Sequence, residues 1–201
     1  MNRRLILLAP LALSACTSLL PAPKYIARTS WPLDPPPPVQ NPASASGPIL
    51  LVRPITAAPG LDQLGLQSLA PDGSLSIDYY NNWAVAPADA VTQALVTWCQ
   101  ASGTFAAVIS PGSRLTPTFI LEGELTRFLA DPAQAQAVVV LTLVLIKPAT
   151  GLTTAALPLV QTRIVGTAPL TGSTPAAQAM AQSAALANAL TQATALIARP
   201  A

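Results

Sequence analysis

Residues 137–146 constrain the fold of this 201-residue chain more than any other segment. They read Ala-Val-Val-Val-Leu-Thr-Leu-Val-Leu-Ile and stop at Lys147-Pro148. A helix that crosses a bilayer needs about 20 apolar residues, so this run is too short to be one. It is rich in β-branched residues and dry on both sides of a strand repeat. Such a strand belongs in the middle of a sheet or against a partner. The preceding segment, residues 118–129, alternates instead. Leu121, Gly123, Leu125 and Leu129 are expected on one face, with Glu122, Glu124 and Thr126 on the other. Asp131-Pro132 turns the chain between the two.

The remaining elements follow from local chemistry. Residues 49–55 form a strand by β-branched content, ended by Ala58-Pro59-Gly60. Pro71-Asp72-Gly73 separates two apolar runs, residues 64–69 and 74–79. Proline presets φ and glycine accepts a positive φ, so a β-hairpin is expected there. A first helix is expected over residues 87–102. Pro87 stands at its first position, Asp89 in its first turn, and Gly103 at its stop. Val91, Leu95 and Trp98 make its apolar stripe. Short strands are expected at residues 105–109 and 157–165. A last helix, capped by Thr174 and opened by Pro175, runs to about residue 198, with Leu186, Leu190, Ala193 and Ile197 on one side. Strands, helix, strands, helix, with hairpin-length links in the second half, predict an α+β domain. The expected form is a mostly antiparallel sheet with two helices packed on one face.

The start of the chain has another character. Arg3 and Arg4 precede a short apolar run, and Ser14 and Ala15 precede Cys16. This is the pattern of a secretory signal, too short to span a membrane. Leu13-Ser14-Ala15-Cys16 resembles the bacterial lipobox, which implies a diacylglyceryl group on the Cys16 thiol, followed by cleavage that frees the cysteine amine for a further acyl chain. Residues 1–15 are therefore expected to be a signal peptide. Residues 16–48 carry the lipidated cysteine and a proline-rich tether, crowded by Pro32, Pro35 to Pro38, Pro42 and Pro48. Lys24-Tyr25-Ile26-Ala27 are expected to add a short edge strand. Residues 49–201 are the folded domain. Thr17 follows the cysteine in place of Asp, which by resemblance to such lipoproteins favours the outer membrane over the inner.

Composition excludes several classes. Ten Lys and Arg stand against eight Asp and Glu, and two of the ten, Arg3 and Arg4, lie in the signal. The mature side chains are neutral, with no basic run to neutralise phosphates, so nucleic acid is not an expected partner. Histidine is absent, which removes the commonest general base and metal ligand and any Ser-His-Asp arrangement. No catalytic residue, cofactor or metal site is expected. Cys99, within the first helix, reads as a small core hydrophobe. Charged residues are 9% of the chain, well below the usual level of about 25%. That low charge, with the bland last helix, raises self-association as an expectation.

Several motifs together resemble the ABC-type transport auxiliary lipoprotein family. They are Val52-Arg53-Pro54, Ala58-Pro59-Gly60-Leu61-Asp62, Tyr80-Asn81-Asn82-Trp83-Ala84, the Pro87 helix with Leu95, Ala101-Ser102-Gly103-Thr104-Phe105 and Leu121-Glu122-Gly123-Glu124-Leu125. The proline-rich insert at residues 32–48 departs from the family pattern. The resemblance implies a non-enzymatic lipoprotein subunit that accompanies an ABC ATPase, a permease and an MCE-type lipid-binding protein, together moving phospholipid or another hydrophobic solute. The chain has no phosphate-cradling Gly-x-x-x-x-Gly-Lys loop of its own, so it is not the ATPase. The alternative is a lipoprotein regulator or assembly factor for an envelope enzyme or secretion pore.

Candidate contact residues are few. Trp83 and Tyr80 could anchor a partner, since aromatic residues dominate interfaces, although Trp83 equally suits a core plug between hairpin and helix. Arg53, Arg114 and Arg127 could meet an anionic headgroup or a carboxylate. Glu122 and Glu124 stand two apart on one strand face and read as a solvated polar face rather than an acid–base pair.

Overall fold

A computed structural model describes residues 25–149 and 155–199. Cys16, the signal and Lys24 lie outside the described residues. The chain order is β1 (Thr29–Trp31), β2 (Ile49–Val52), β3 (Thr56–Ala57), β4 (Gly65–Leu69), β5 (Leu75–Trp83), α1 (Pro87–Ala101), β6 (Ala107–Ile109), β7 (Phe119–Asp131), a 3-10 turn (Pro132–Gln134), β8 (Gln136–Lys147), β9 (Leu157–Pro169) and α2 (Pro175–Ile197).

β7 is the spine. One edge pairs antiparallel with β8, which pairs antiparallel with β9. The other edge takes three short parallel partners in turn: Leu50 opposite Phe119, Thr56 opposite Glu124, and Ser68 opposite Ala130. β6 lies parallel beside β2, and β1 parallel beside β5, which closes an antiparallel hairpin with β4.

The expectation of a mostly antiparallel sheet is therefore wrong. The fold is α+β with two helices, but the sheet is mixed, and five of its eight described pairings are parallel. The physical reason lies in the connections. Tight turns at residues 71–73 and 132–135 force antiparallel neighbours, whereas parallel neighbours need a crossover. α1 supplies one, carrying the chain from β5 to β6 beside β2. β2, β3 and β4 align in turn along β7, and of the three only β4 also pairs with its sequence neighbour, β5.

β8 sits inside the sheet, as its composition predicts. Ala137, Val139, Leu141, Leu143 and Leu145 are buried on its inner side. Its outer side is dry at Val138 and Val140 but only half-buried at Thr142, Val144 and Ile146. In β7 a bulge between Leu125 and Arg127 breaks the expected alternation. Phe128 and Ala130 take over the inner face, and Leu129 moves to the face of Glu122 and Glu124.

Both helices pack against each other and against the sheet. α1 starts at Pro87 and ends before Gly103, whose φ of 72° only glycine adopts freely. α2 is capped by Thr174, whose Oγ1 accepts from the Ala177 amide at 3.2 Å. Ala185, Leu186, Ala189, Leu190 and Ala193 are fully buried under it. A buried glutamine node ties α2 to β4: Gln178 and Gln182 donate their Nε2 to the Gln67 carbonyl at 2.9 and 2.8 Å.

The proline-rich stretch packs on the domain. Leu33 and Pro35 are buried. Trp98 Nε1 donates to the Pro35 carbonyl at 2.8 Å, the Asn41 amide donates to Ala101 O at 2.9 Å, and Ala106 N donates to Pro48 O at 3.0 Å. Proline lacks a donor but keeps its acceptor. Such a strap is therefore held mainly through its carbonyls and its few non-proline amides. The edge strand is β1, later in the chain than the expected one near Tyr25. Trp98→Phe should cost about 1–2 kcal/mol by leaving the Pro35 carbonyl without its donor. Urea unfolding, with proteolysis of residues 36–48 as a second readout, checks it.

Candidate functional site

Three features stand out on the surface of the domain. The first is the face of the sheet opposite the helices. There Glu122 on β7 accepts from Arg53, just past β2, with Nη1–Oε1 at 2.6 Å. The pair holds because β2 runs parallel beside β7 and the Arg53 amide donates to Leu121 O at 2.9 Å. Glu124, Thr142 and Val144 complete a shallow depression of about 390 Å³. Arg127 is exposed on the same face, moved there by the bulge. The structure thus brings Arg53, Glu122, Glu124 and Arg127 together on one face. The arrangement is a shallow, mixed-charge surface. Among the described residues there is no group of three His, Cys, Asp or Glu that could hold a metal. The Arg53–Glu122 pair is well exposed on both sides, so Glu122→Gln should change stability by less than about 0.5 kcal/mol once solvent screening is counted. An unfolding midpoint that moves far would show the pair to be buried in an assembly.

The second feature is the β4–β5 hairpin. Tyr79 and Tyr80 are exposed and meet edge to face, with ring centroids 5.2 Å apart. Arg28 lies 4.1 Å over the Tyr79 ring, a cation–π contact. Asp78 accepts from the Tyr80 and Asn81 amides at 2.8 and 3.0 Å, fixing the local bend. Leu75 and Ile77 are exposed beside them. Alternating apolar residues along a hairpin strand were visible in the sequence, but their outward side was not. Trp83 belongs to the core: it is 2% exposed and packs on Phe128 at 5.5 Å. It has no surface to offer a partner, whereas Tyr80 has.

The third feature is a groove of about 380 Å³ between the strap and α2, with Trp31, Pro32 and Pro36 on one side and Met180, Ser183 and Ala187 on the other. Nothing in the sequence signals it, because a proline-rich stretch reads as a tether that stands off the domain.

Cys99 is buried in α1, and burial pushes its thiol up to about 12. Thiolate is the reactive form, so alkylation at about pH 8 should leave the folded chain's Cys99 unmodified and modify it only after unfolding. The raised value also favours folding of the protonated form. That contribution is whole below the ordinary thiol value of 9.0 and is lost as pH rises through about 12.

None of the described helices is long and apolar enough to cross a membrane. The fold matches solved structures. Protein XCC0632 from Xanthomonas campestris superposes with a TM-score of 0.70 at 22% identity, over 85% of this chain and 95% of that one. An uncharacterized protein superposes with a TM-score of 0.61 at 16% identity, over 87% and 99%. At these identities the likeness shows the fold alone. A PelC dodecamer from Paraburkholderia phytofirmans gives a TM-score of only 0.38 at 14% identity, over 76% of this chain and 93% of that one, too loose to carry an argument. No curated protein matches the sequence. The model of the ABC-type transport auxiliary lipoprotein component family matches residues 31–194, a span that takes in the strap, every strand from β2 to β9 and most of α2. This chain belongs to that family and is an auxiliary lipoprotein component of ABC-type transport.

Proposed function

We propose that the chain holds one end of an MCE/ABC-type lipid transport system at the outer membrane, lipid-anchored through Cys16 and facing the periplasm. The family match over residues 31–194 is the observation that carries this reading. The lipobox ending at Cys16 supports the anchor, and Thr17 in place of Asp supports the outer membrane. Its role is docking rather than chemistry. The exposed Arg53, Glu122 and Arg127 face offers charges of both signs to an MCE-type protein, whose permease and ATPase supply the energy. Complementary charges of this kind set register and partner choice more than affinity. Self-association of the domain belongs to the same reading and is tested by light scattering across a concentration series, where a monomer at every concentration counts against it.

Gradient separation of the two membranes tests the location. The full-length chain is expected in the outer-membrane fraction. After crosslinking it should carry the MCE-type protein with it. Recovery in the inner-membrane fraction overturns the outer anchor.

A further inference from the structure

The exposed apolar residues of the hairpin are not scattered. β1 runs parallel to β5, with Thr29 opposite Asn81 and Trp31 opposite Trp83. Residues before Thr29 therefore continue back along β5 towards Leu75 and the Pro71–Gly73 turn. The Arg28 guanidinium over the Tyr79 ring confirms that direction. Tyr25 and Ile26, both exposed, thus lie on the same flank as Leu75, Ile77, Tyr79 and Tyr80. Beyond Thr29–Trp31 the outer edge of β5 has no strand beside it among the described residues.

The chain leading to Cys16 leaves from this flank. Only residues 17–24 stand between Cys16 and Tyr25. Fully extended, that interval reaches about 30 Å at most, the thickness of a bilayer's hydrocarbon core. The strap does not lengthen it, because Leu33, Pro35 and Asn41 are packed on the helices. A domain on so short a leash must turn some surface to the bilayer, and the flank from which the leash emerges is the nearest.

Its chemistry suits that surface. Tyrosine rings with exposed hydroxyls settle at the headgroup level, and an arginine beside them finds phosphates there. Leu75, Ile77 and Ile26 supply apolar area. At the hairpin tip the Asp72 carboxylate accepts from the Ser74 amide and hydroxyl at 2.9 and 2.7 Å. A charged tip stays in water, so contact is made by the flank and not by the turn.

We propose that the β4–β5 hairpin flank, with Tyr25, Ile26 and Arg28, rests on the surface of the bilayer that holds Cys16 and so orients the domain with its mixed-charge sheet face free for the partner. This rests on the reading of Cys16 as the lipid anchor.

The test uses the full-length lipidated chain in vesicles of phosphatidylethanolamine and phosphatidylglycerol. An environment-sensitive dye is placed at Ile77→Cys or at Leu115→Cys. Leu115 is exposed and precedes the start of β7, the far end of that strand from Ala130, where β4 docks. Cys99 is buried and takes no dye. A lipid-borne quencher is expected to dim the Ile77 label severalfold more than the Leu115 label, and Arg28→Ala with Tyr79→Ser to narrow that difference. Equal quenching at the two positions overturns the proposal. An Ile77 label shielded from aqueous quencher yet out of reach of the lipid quencher also overturns it, and assigns the flank to another protein or a second copy. The intact mass separates the two levels: a chain without acyl mass on Cys16 refutes the anchor, and the orientation falls with it.

Discussion

Gly166→Val should destabilise the domain by about 3 kcal/mol or more, the upper range for forcing volume into a packed core. Gly166 sits on β9 opposite Val139, beneath α2. A Cβ there would overlap the Ala185 carbonyl oxygen, stand 2.6 Å from the Ala189 amide nitrogen and 2.8 Å from the Ala189 Cβ. Two of these three neighbours are helix backbone, which cannot swing aside as a side chain can. The cost therefore falls on the whole α2–sheet contact. Ala185, Leu186, Ala189 and Leu190 are fully buried in it, so lifting α2 exposes them together. An unfolding midpoint shifted far to lower urea, or loss of a cooperative transition, is the expected result. A midpoint close to wild type would mean that α2 does not approach β9 so closely. Gly166→Ala is the milder companion and should fall between.

Cys16→Ser, exported behind an ordinary cleavable signal in place of residues 1–15, should move the chain from the membrane to the soluble periplasmic fraction. One acyl chain binds a bilayer only marginally, and two or three together hold it essentially permanently, at about 0.8 kcal/mol per buried methylene. Removing the thiol removes them all, so membrane partition should fall by several orders of magnitude. The hairpin flank alone cannot replace that energy: it offers a few exposed side chains. Fractionation with immunoblotting checks the shift. Unchanged membrane retention of Cys16→Ser would place the anchor elsewhere.

The elements written in local chemistry were readable. Pro71-Asp72-Gly73 closes its hairpin, with Gly73 at a φ of 84°. Pro87 and Thr174 open their helices, and residues 137–146 lie inside the sheet. Each depends on residues within a few positions of one another. What was not readable depends on contacts across the chain. The parallel docking of β2, β3 and β4 along β7 joins segments whose separation nothing in their own composition marks. The β7 bulge shifts Leu129 by one face; its only trace in the sequence is Arg127 in the apolar phase and Phe128 in the polar one, which the alternation of Leu121, Leu125 and Leu129 masks. The proline-rich stretch looked unfoldable from its missing donors, yet Trp98, sixty-three residues away, supplies one to the Pro35 carbonyl. The site shows the same division. Glu122 and Glu124 read as one polar face from their spacing, whereas the pairing of Glu122 with Arg53 depends on the parallel register of β2 beside β7. Tyr80 and Trp83, three apart in sequence, part company at the end of β5: one is exposed and the other sealed against Phe128.

The most direct test of the transport role is affinity recovery of the tagged full-length chain from crosslinked, detergent-solubilised membranes, with partners identified by mass spectrometry. An MCE-type protein, its permease and its ATPase are the expected companions. Recovery of a cell-wall synthase or a secretion pore, with no transporter subunit, would contradict it.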